Sequence, residues 1–274
     1  MYHPYIEGYS VLPGLRPLGY DFGNGELDSL YFQEDENLGY YRQVKMDAID
    51  NGQVAVLTEA RDGAVWNRKA QDYVRDWMVA KLQEEYPESD FVDNPPQTLD
   101  AIGLRIQEDF AVHVRDDKED WLAYTNICLP SNWYPENNIG KSFLDVHKVV
   151  PGMALNKSEG IVKVMMEKGP FVRFVWTVVF ENKLNYHPDL PRKNFDPDNP
   201  TVLVKVERQI TIPMPEISGM LFLIRVYLLP LNEVEVKPLI SSLKSMTPEQ
   251  KKYKSIDEDY ENLIEYLSGL EASK

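Results

Sequence analysis

The stretch that most limits how this chain can fold lies between Phe171 and Leu228. Three long runs rich in β-branched and aromatic residues follow one another there, at Phe171 to Phe180, Val202 to Ile212 and Leu221 to Leu228. Such runs read as strands that pack on a pleated, largely buried surface. Upstream, Phe110, Val112 and Val114 alternate with Ala111, His113 and Arg115, and the acidic and basic segment 116–120 turns the chain into a further strand from Trp121 to Cys128. The period of two makes these a hairpin, so five strands dominate the middle of the chain.

Helical patterns surround them. Trp66, Ala70, Tyr73, Val74, Trp77, Met78 and Leu82 recur at three- and four-residue spacing, with Pro87 beyond the last. Thr98 is placed to cap a helix carrying Leu99, Ile102 and Ile106 on one face. A short helix is expected from Ser142 to His147, stopped by Pro151-Gly152, and another from Lys157 to Lys168, stopped by Gly169. Thr247-Pro248-Glu249-Gln250 combines a capping box with a proline at the first helical position, and Ile256, Tyr260, Leu263, Ile264 and Leu267 form a last amphipathic stripe. Residues 1–60, punctuated by Pro13-Gly14, Gly23-Asn24-Gly25 and Asn51-Gly52, read as an irregular arm wrapping the core, and the proline-rich segment 181–200 as a long loop or flap. The expected class is α+β, a sheet covered by helices on one face.

A net charge of −15 with scattered basic residues disfavours nucleic acid and anionic membrane surfaces. The longest apolar runs stop at about ten residues and contain Arg173 and Arg225, too short and too charged to span a bilayer. MYHPYIEGYS at the start has neither a basic region nor an apolar one, so no secretory signal is expected and the cytoplasm is the simplest location. Cys128 is the only cysteine, which excludes an intrachain disulfide or a cysteine-ligated cluster.

Ile139-Gly140-Lys141-Ser142 ends like a phosphate-binding loop, but Pro135 occupies the place of its upstream glycine. None of the four histidines has a partner at the i, i+4 spacing of a helical zinc site. His113 falls on the more polar face of its strand, where a solvated or hydrogen-bonded ring is expected. His147 differs, because Phe143, Val146, Val149 and Val150 around it are apolar. It is either a satisfied core histidine or a ligand. Arg173, Arg208 and Arg225 sit within apolar strands, where a buried guanidinium needs an anion. They either pair with carboxylates such as Glu207 or Asp109, or clamp an anionic ligand. Glu108-Asp109 is the one acidic pair that stands out, and satisfaction of backbone donors is its ordinary role.

QEDF from Gln107, CLPSNW from Cys128, VHKVVPG from Val146, RFVW from Arg173, VERQ from Val206 and LIRVY from Leu223, preceded by LPGLRPLG from Leu12, occur in an order that resembles the haem-dependent oxidative N-demethylase family. The resemblance covers roughly Leu12 to Leu267. It implies a PAS-like fold: a five-stranded antiparallel sheet with helices on one face and N- and C-terminal helical additions. The single domain would divide into an arm and helix at 1–97, a PAS-like core at 98–231 and C-terminal helices at 232–274. The resemblance also implies haem b with His147 as the iron ligand, and makes Arg173, Arg208 and Arg225 candidates for propionate contacts or structural pairing.

A small secondary amine such as dimethylamine would be oxidised with dioxygen to a primary amine and formaldehyde. Flavin and iron–sulfur centres would reside on separate reductase components. Val175 stands where the family often has asparagine, and Asn132 where a small residue or glycine is common, so the pocket lining is expected to differ. The alternative function is a non-catalytic PAS-like ligand-binding or sensory module. A purely structural interaction protein would show no ligand-sized cavity beside His147.

Overall fold

The computed structural model describes residues 2–54, 57–58 and 65–272. Its first half contains β1 (Arg16–Pro17), β2 (Tyr20–Asp21), β3 (Leu27–Asp28), α1 (Leu38–Asp50), β4 (Leu57–Thr58), α2 (Arg68–Glu85), α3 (Asp90–Asp93), α4 (Leu99–Gly103), β5 (Asp109–Arg115) and β6 (Asp120–Asn126). Then come α5 (Phe143–His147), α6 (Ser158–Glu167), β7 (Phe171–Val179), β8 (Leu203–Met214), β9 (Gly219–Pro230), α7 (Val236–Ser245), α8 (Pro248–Tyr253) and α9 (Tyr260–Ala272). Helix starts fall where side chains can replace missing backbone partners. Asn67 accepts from Lys69 N and Ala70 N, Thr98 from Ala101 N, and Ser142 from Asp145 N, while Thr247 and Gln250 form the reciprocal capping box.

The main sheet has the order β1-β7-β8-β9-β5-β6-β4, with every neighbour antiparallel. The β5–β6 hairpin closes because Asp116 Oδ1 accepts from both Lys118 N and Glu119 N. The last long strand then lies beside the first. Gly219 permits that approach, since a Cβ there would meet His113 O at 2.5 Å.

Alternation along these strands divides the sheet into two unlike faces. On one, Phe110, Val112, Ile210 and Leu223 pack against Val74, Met78 and Leu82 of α2 and Ile102 of α4. Farther along the same face, Trp176, Val178, Val204 and Val206 pack against Leu239 and Leu243 of α7 and Leu263 and Leu267 of α9. These apolar blocks supply the main hydrophobic driving force. On the other face, α6 places Val162, Met165 and Met166 against Met220. Helices therefore lie on both faces, which corrects the expectation of helices on one face only. Among the described residues, no helix is long and apolar enough to cross a membrane.

The reading of residues 1–60 as irregular also needs correction, because α1 occupies 38–50. Its pattern is obscured by Lys45, a charged residue buried beside Tyr41 and Ala48 on the packed side. Lys45 Nζ is held by Gly103 O at 3.1 Å and Asp109 Oδ1 at 3.4 Å, contacts that no local periodicity reveals. Before α1 the arm does wrap the core. The Glu85 carboxylate accepts from Tyr31 N and Phe32 N, Glu108 Oε1 from Gln33 N, and Gln107 Oε1 from Asp35 N. This segment is bound through its backbone, as an extended peptide would be.

Candidate functional site

A cavity of about 1060 Å³ lies on the second face of the sheet. Its floor is β7, β8, β9 and β5, one wall is α5 and α6, and the N-terminal arm and the segment after β6 close the remaining sides. The floor follows from register. Arg173 pairs with Gln209, Val175 with Glu207 and Thr177 with Lys205, so these six side chains share a face. The volume lies just above the roughly 300–1,000 Å³ typical of small-molecule sites.

His147 lines this space from the last turn of α5. Its Nδ1 lies 2.8 Å from Phe143 O, and its ring stacks on the Phe143 ring with centroids 4.0 Å apart. A carbonyl can only accept, so Nδ1 carries the proton. Burial holds the ring's pKa down to about 4; the Phe143 hydrogen bond opposes that shift, and the charges of Arg173 and His113 reinforce it. The imidazole is therefore neutral near pH 7, with its lone pair on Nε2, which has no hydrogen-bond partner among the described residues. A neutral imidazole fixed through Nδ1 with a free Nε2 is the form that binds a metal.

A second polar pole is built from Arg173, Glu207, Tyr253 and Lys254. Glu207 accepts from Ser131 Oγ and, at 2.8 Å, from Gln209 Nε2. Arg173 makes one hydrogen bond, from Nη1 to Pro13 O at 3.2 Å, and Lys254 Nζ makes none among the described residues. Burial lowers the pKa of both cations, while the charge of Glu207 opposes the shift. Lys205 is pushed down to about 8 by burial, and its Nζ donates to the Leu184, Leu129 and Pro130 carbonyls. Thr177 Oγ1 and Thr211 Oγ1 are buried without partners on the same floor. Cationic groups with donors to spare, beside unsatisfied hydroxyls, fit a ligand that carries carboxylates.

The structure separates the three arginines. Arg173 faces the cavity, but Arg208 and Arg225 lie on the opposite face and do not line it. Of the two roles left open for them, propionate contact and structural pairing, the contacts of Arg208 and Arg225 are those of pairing. Arg208 Nε meets Asp28 Oδ1 and Oδ2 at 2.9 and 3.0 Å. Arg225 donates to Gln33 O, Val226 O and Asp35 Oδ2, between the rings of Tyr41 and Tyr227. The carboxylates come from the arm rather than from Glu207 or Asp109.

Asp109 instead accepts from Cys128 N and Leu129 N, and Glu108 from Gln33 N, which is the backbone-satisfying role expected of that pair. Cys128 is buried, and burial pushes its thiol pKa up. His113 is buried at the cavity and bonded to Asp120, while His187 is held by Glu136. No cluster of three or more metal-ligating side chains occurs among the described residues.

Sequence reasoning missed Glu207, Lys205, Gln209 and Lys254 as cavity residues. The first three were visible as alternation, since 205, 207, 209 and 211 are polar whereas 204, 206 and 210 are apolar. Lys254 had no such signal, because it arrives from the end of α8. Val175 and Asn132, the two positions where a different pocket lining was expected, both reach the cavity: Val175 in the floor, and Asn132 with a left-handed φ of 64° that favours glycine. The family model described as haem-dependent oxidative N-demethylase, alpha subunit-like, matches residues 63–264, the stretch that carries β5 to β9, α5 and the polar floor, and the chain belongs to that family.

Proposed function

We propose that this protein binds haem b in the cavity and acts as an oxidative N-demethylase on a small secondary amine such as dimethylamine. The observation that carries this reading is the neutral, tautomerically fixed His147 whose Nε2 is free beside a large cavity. His147 would hold the iron, and Arg173 and Lys254 would take the haem carboxylates. When bound, haem would supply dioxygen activation and oxidation of the carbon next to nitrogen, with electrons from separate flavin and iron–sulfur components. Glu207 offers a carboxylate to a protonated amine, oriented by Ser131 and Gln209. Val175 and Val179 contribute apolar side chains to the floor, which between and beside them carries Arg173, Thr177 and Glu207. The strand order β7-β8-β9-β5-β6, with the first long strand beside the last, supports a PAS-like core. A cytoplasmic site of action belongs to the same reading.

The test is direct. Protein purified from haem-supplemented cells should show a Soret band that His147→Ala abolishes or shifts. Formaldehyde should appear from dimethylamine with a surrogate reductant. Absence of a Soret band under all loading conditions would overturn the reading. Haem binding without formaldehyde would favour a sensory or binding module, for which Val175 in place of asparagine is the specific motive.

A further inference from the structure

We infer that Asp120 is the positioning residue for His147, acting through the first peptide N–H of α5 and through His113. The inference rests on the reading of His147 as the haem ligand. Helix α5 has only five residues, far below the length at which an isolated helix is stable, so tertiary contacts must hold it. One hold is local, the N-cap Ser142 Oγ accepting from Asp145 N at 3.1 Å. The other comes from outside the helix: Asp120 Oδ2, at the start of β6, accepts from Phe143 N at 2.7 Å. The same oxygen meets His113 Nε2 at 2.5 Å.

Phe143 is the residue through which the imidazole is held. Its carbonyl receives Nδ1–H of His147, and its ring stacks on the imidazole. The His113 ring also meets the Phe143 ring edge-on, with centroids 6.2 Å apart. Asp120 thus fixes both the backbone of Phe143 and the ring that packs against it. The carboxylate that usually orients a ligating histidine bonds directly to its second nitrogen. Here a backbone carbonyl fills that place, and the carboxylate holds the peptide that presents it. Burial opposes ionisation of Asp120, but the bonds from His113 and Phe143 N and the nearby Arg115 outweigh it, and its pKa lies below the usual carboxylate value.

Asp120→Ala and the milder Asp120→Asn test this in the haem-free and haem-loaded protein. Nitrogen-15 NMR of the haem-free wild type should show His147 protonated at Nδ1 alone, and Asp120→Ala should give a mixture of tautomers. In the loaded ferrous protein, the iron–histidine stretch should fall in frequency, and haem transfer to apomyoglobin should accelerate about 10–100-fold. Asp120→Asn should fall between the two and carries the test if the alanine variant does not fold. A merely structural Asp120 would lower the unfolding midpoint while leaving the His147 nitrogen shifts and the haem transfer rate of folded protein at wild-type values, and that result overturns the inference. Haem retention by His147→Ala equal to wild type would instead overturn the ligand reading, with the haem-free NMR result still deciding whether Asp120 holds the ring.

Discussion

Arg208 and Arg173 occupy neighbouring strands, yet one completes a closed network and the other faces an open one. Arg208 and Arg225 are direct cross-strand partners, a like-charge juxtaposition that would destabilise the sheet by itself. The arm resolves it by bringing Asp28 and Asp35 onto that face. Across the sheet, Arg173 and Lys254 share Glu207 as their nearby carboxylate among the described residues, and it also accepts from Ser131 and Gln209. A buried cation whose donors are all matched by its own chain is part of the fold. One with donors left over beside a cavity is available to a ligand.

Breaking the closed network should have the largest effect. Arg208→Ala should lower unfolding free energy by about 3–5 kcal/mol, because it leaves Asp28 without its buried partner. Urea denaturation measures this, and a loss under about 1 kcal/mol would erase the distinction between the faces.

The next effect is pH dependence on the cavity side. The folded pKa of His147 lies near 4, against an unfolded value near 6.5. The unfolded chain therefore binds the proton first, and stability is lost as pH falls from 6.5 towards 4, by at most about 3 kcal/mol. Urea titrations of haem-free wild type and His147→Ala should differ by that slope. Parallel pH profiles would show that the ring is not held neutral.

A smaller effect is expected from Arg173→Met with Lys254→Met. Removing desolvated cations should leave haem-free stability unchanged or raised by about 1–2 kcal/mol. Haem affinity should drop about tenfold, equivalent to about 1.4 kcal/mol. Spectrophotometric haem titration beside denaturation separates the two, and a stability loss as large as that of Arg208→Ala would make the faces equivalent. Smallest in stability is Glu207→Gln, expected to shift unfolding by less than about 1 kcal/mol while weakening dimethylamine binding relative to a neutral molecule of the same shape. Substrate-induced difference spectra would read the ratio, and equal weakening of both ligands would count against an ammonium contact.

Much of this site was legible because its signals are local. The short helix ending at His147, the apolar residues around that histidine, the stop at Pro151-Gly152 and the alternation through β5 and β6 are all carried within a few residues. The side of the sheet on which each arginine falls was not. Parity within one strand is readable, but relating β7 to β8 and β9 requires their register, which depends on turns and on a long loop between 180 and 202. Helix α1 was hidden for a related reason. Its buried face contains Lys45, whose partners lie about sixty residues away in Gly103 and Asp109.

The sequence by itself determined the five longest strands of what is a seven-stranded sheet, the helix caps at Thr98 and Thr247, the exclusion of cysteine-based centres and His147 as the residue to watch. These depend on backbone period and side-chain chemistry, which act over one or two turns. Only the tertiary structure decided that His147 bears its lone pair on Nε2 beside a cavity, that Arg173 shares that cavity, and that Arg208 and Arg225 are matched to the arm on the far side. Those outcomes depend on which distant groups meet once the sheet is in register. Burial then magnifies the cost of every polar group left unmatched.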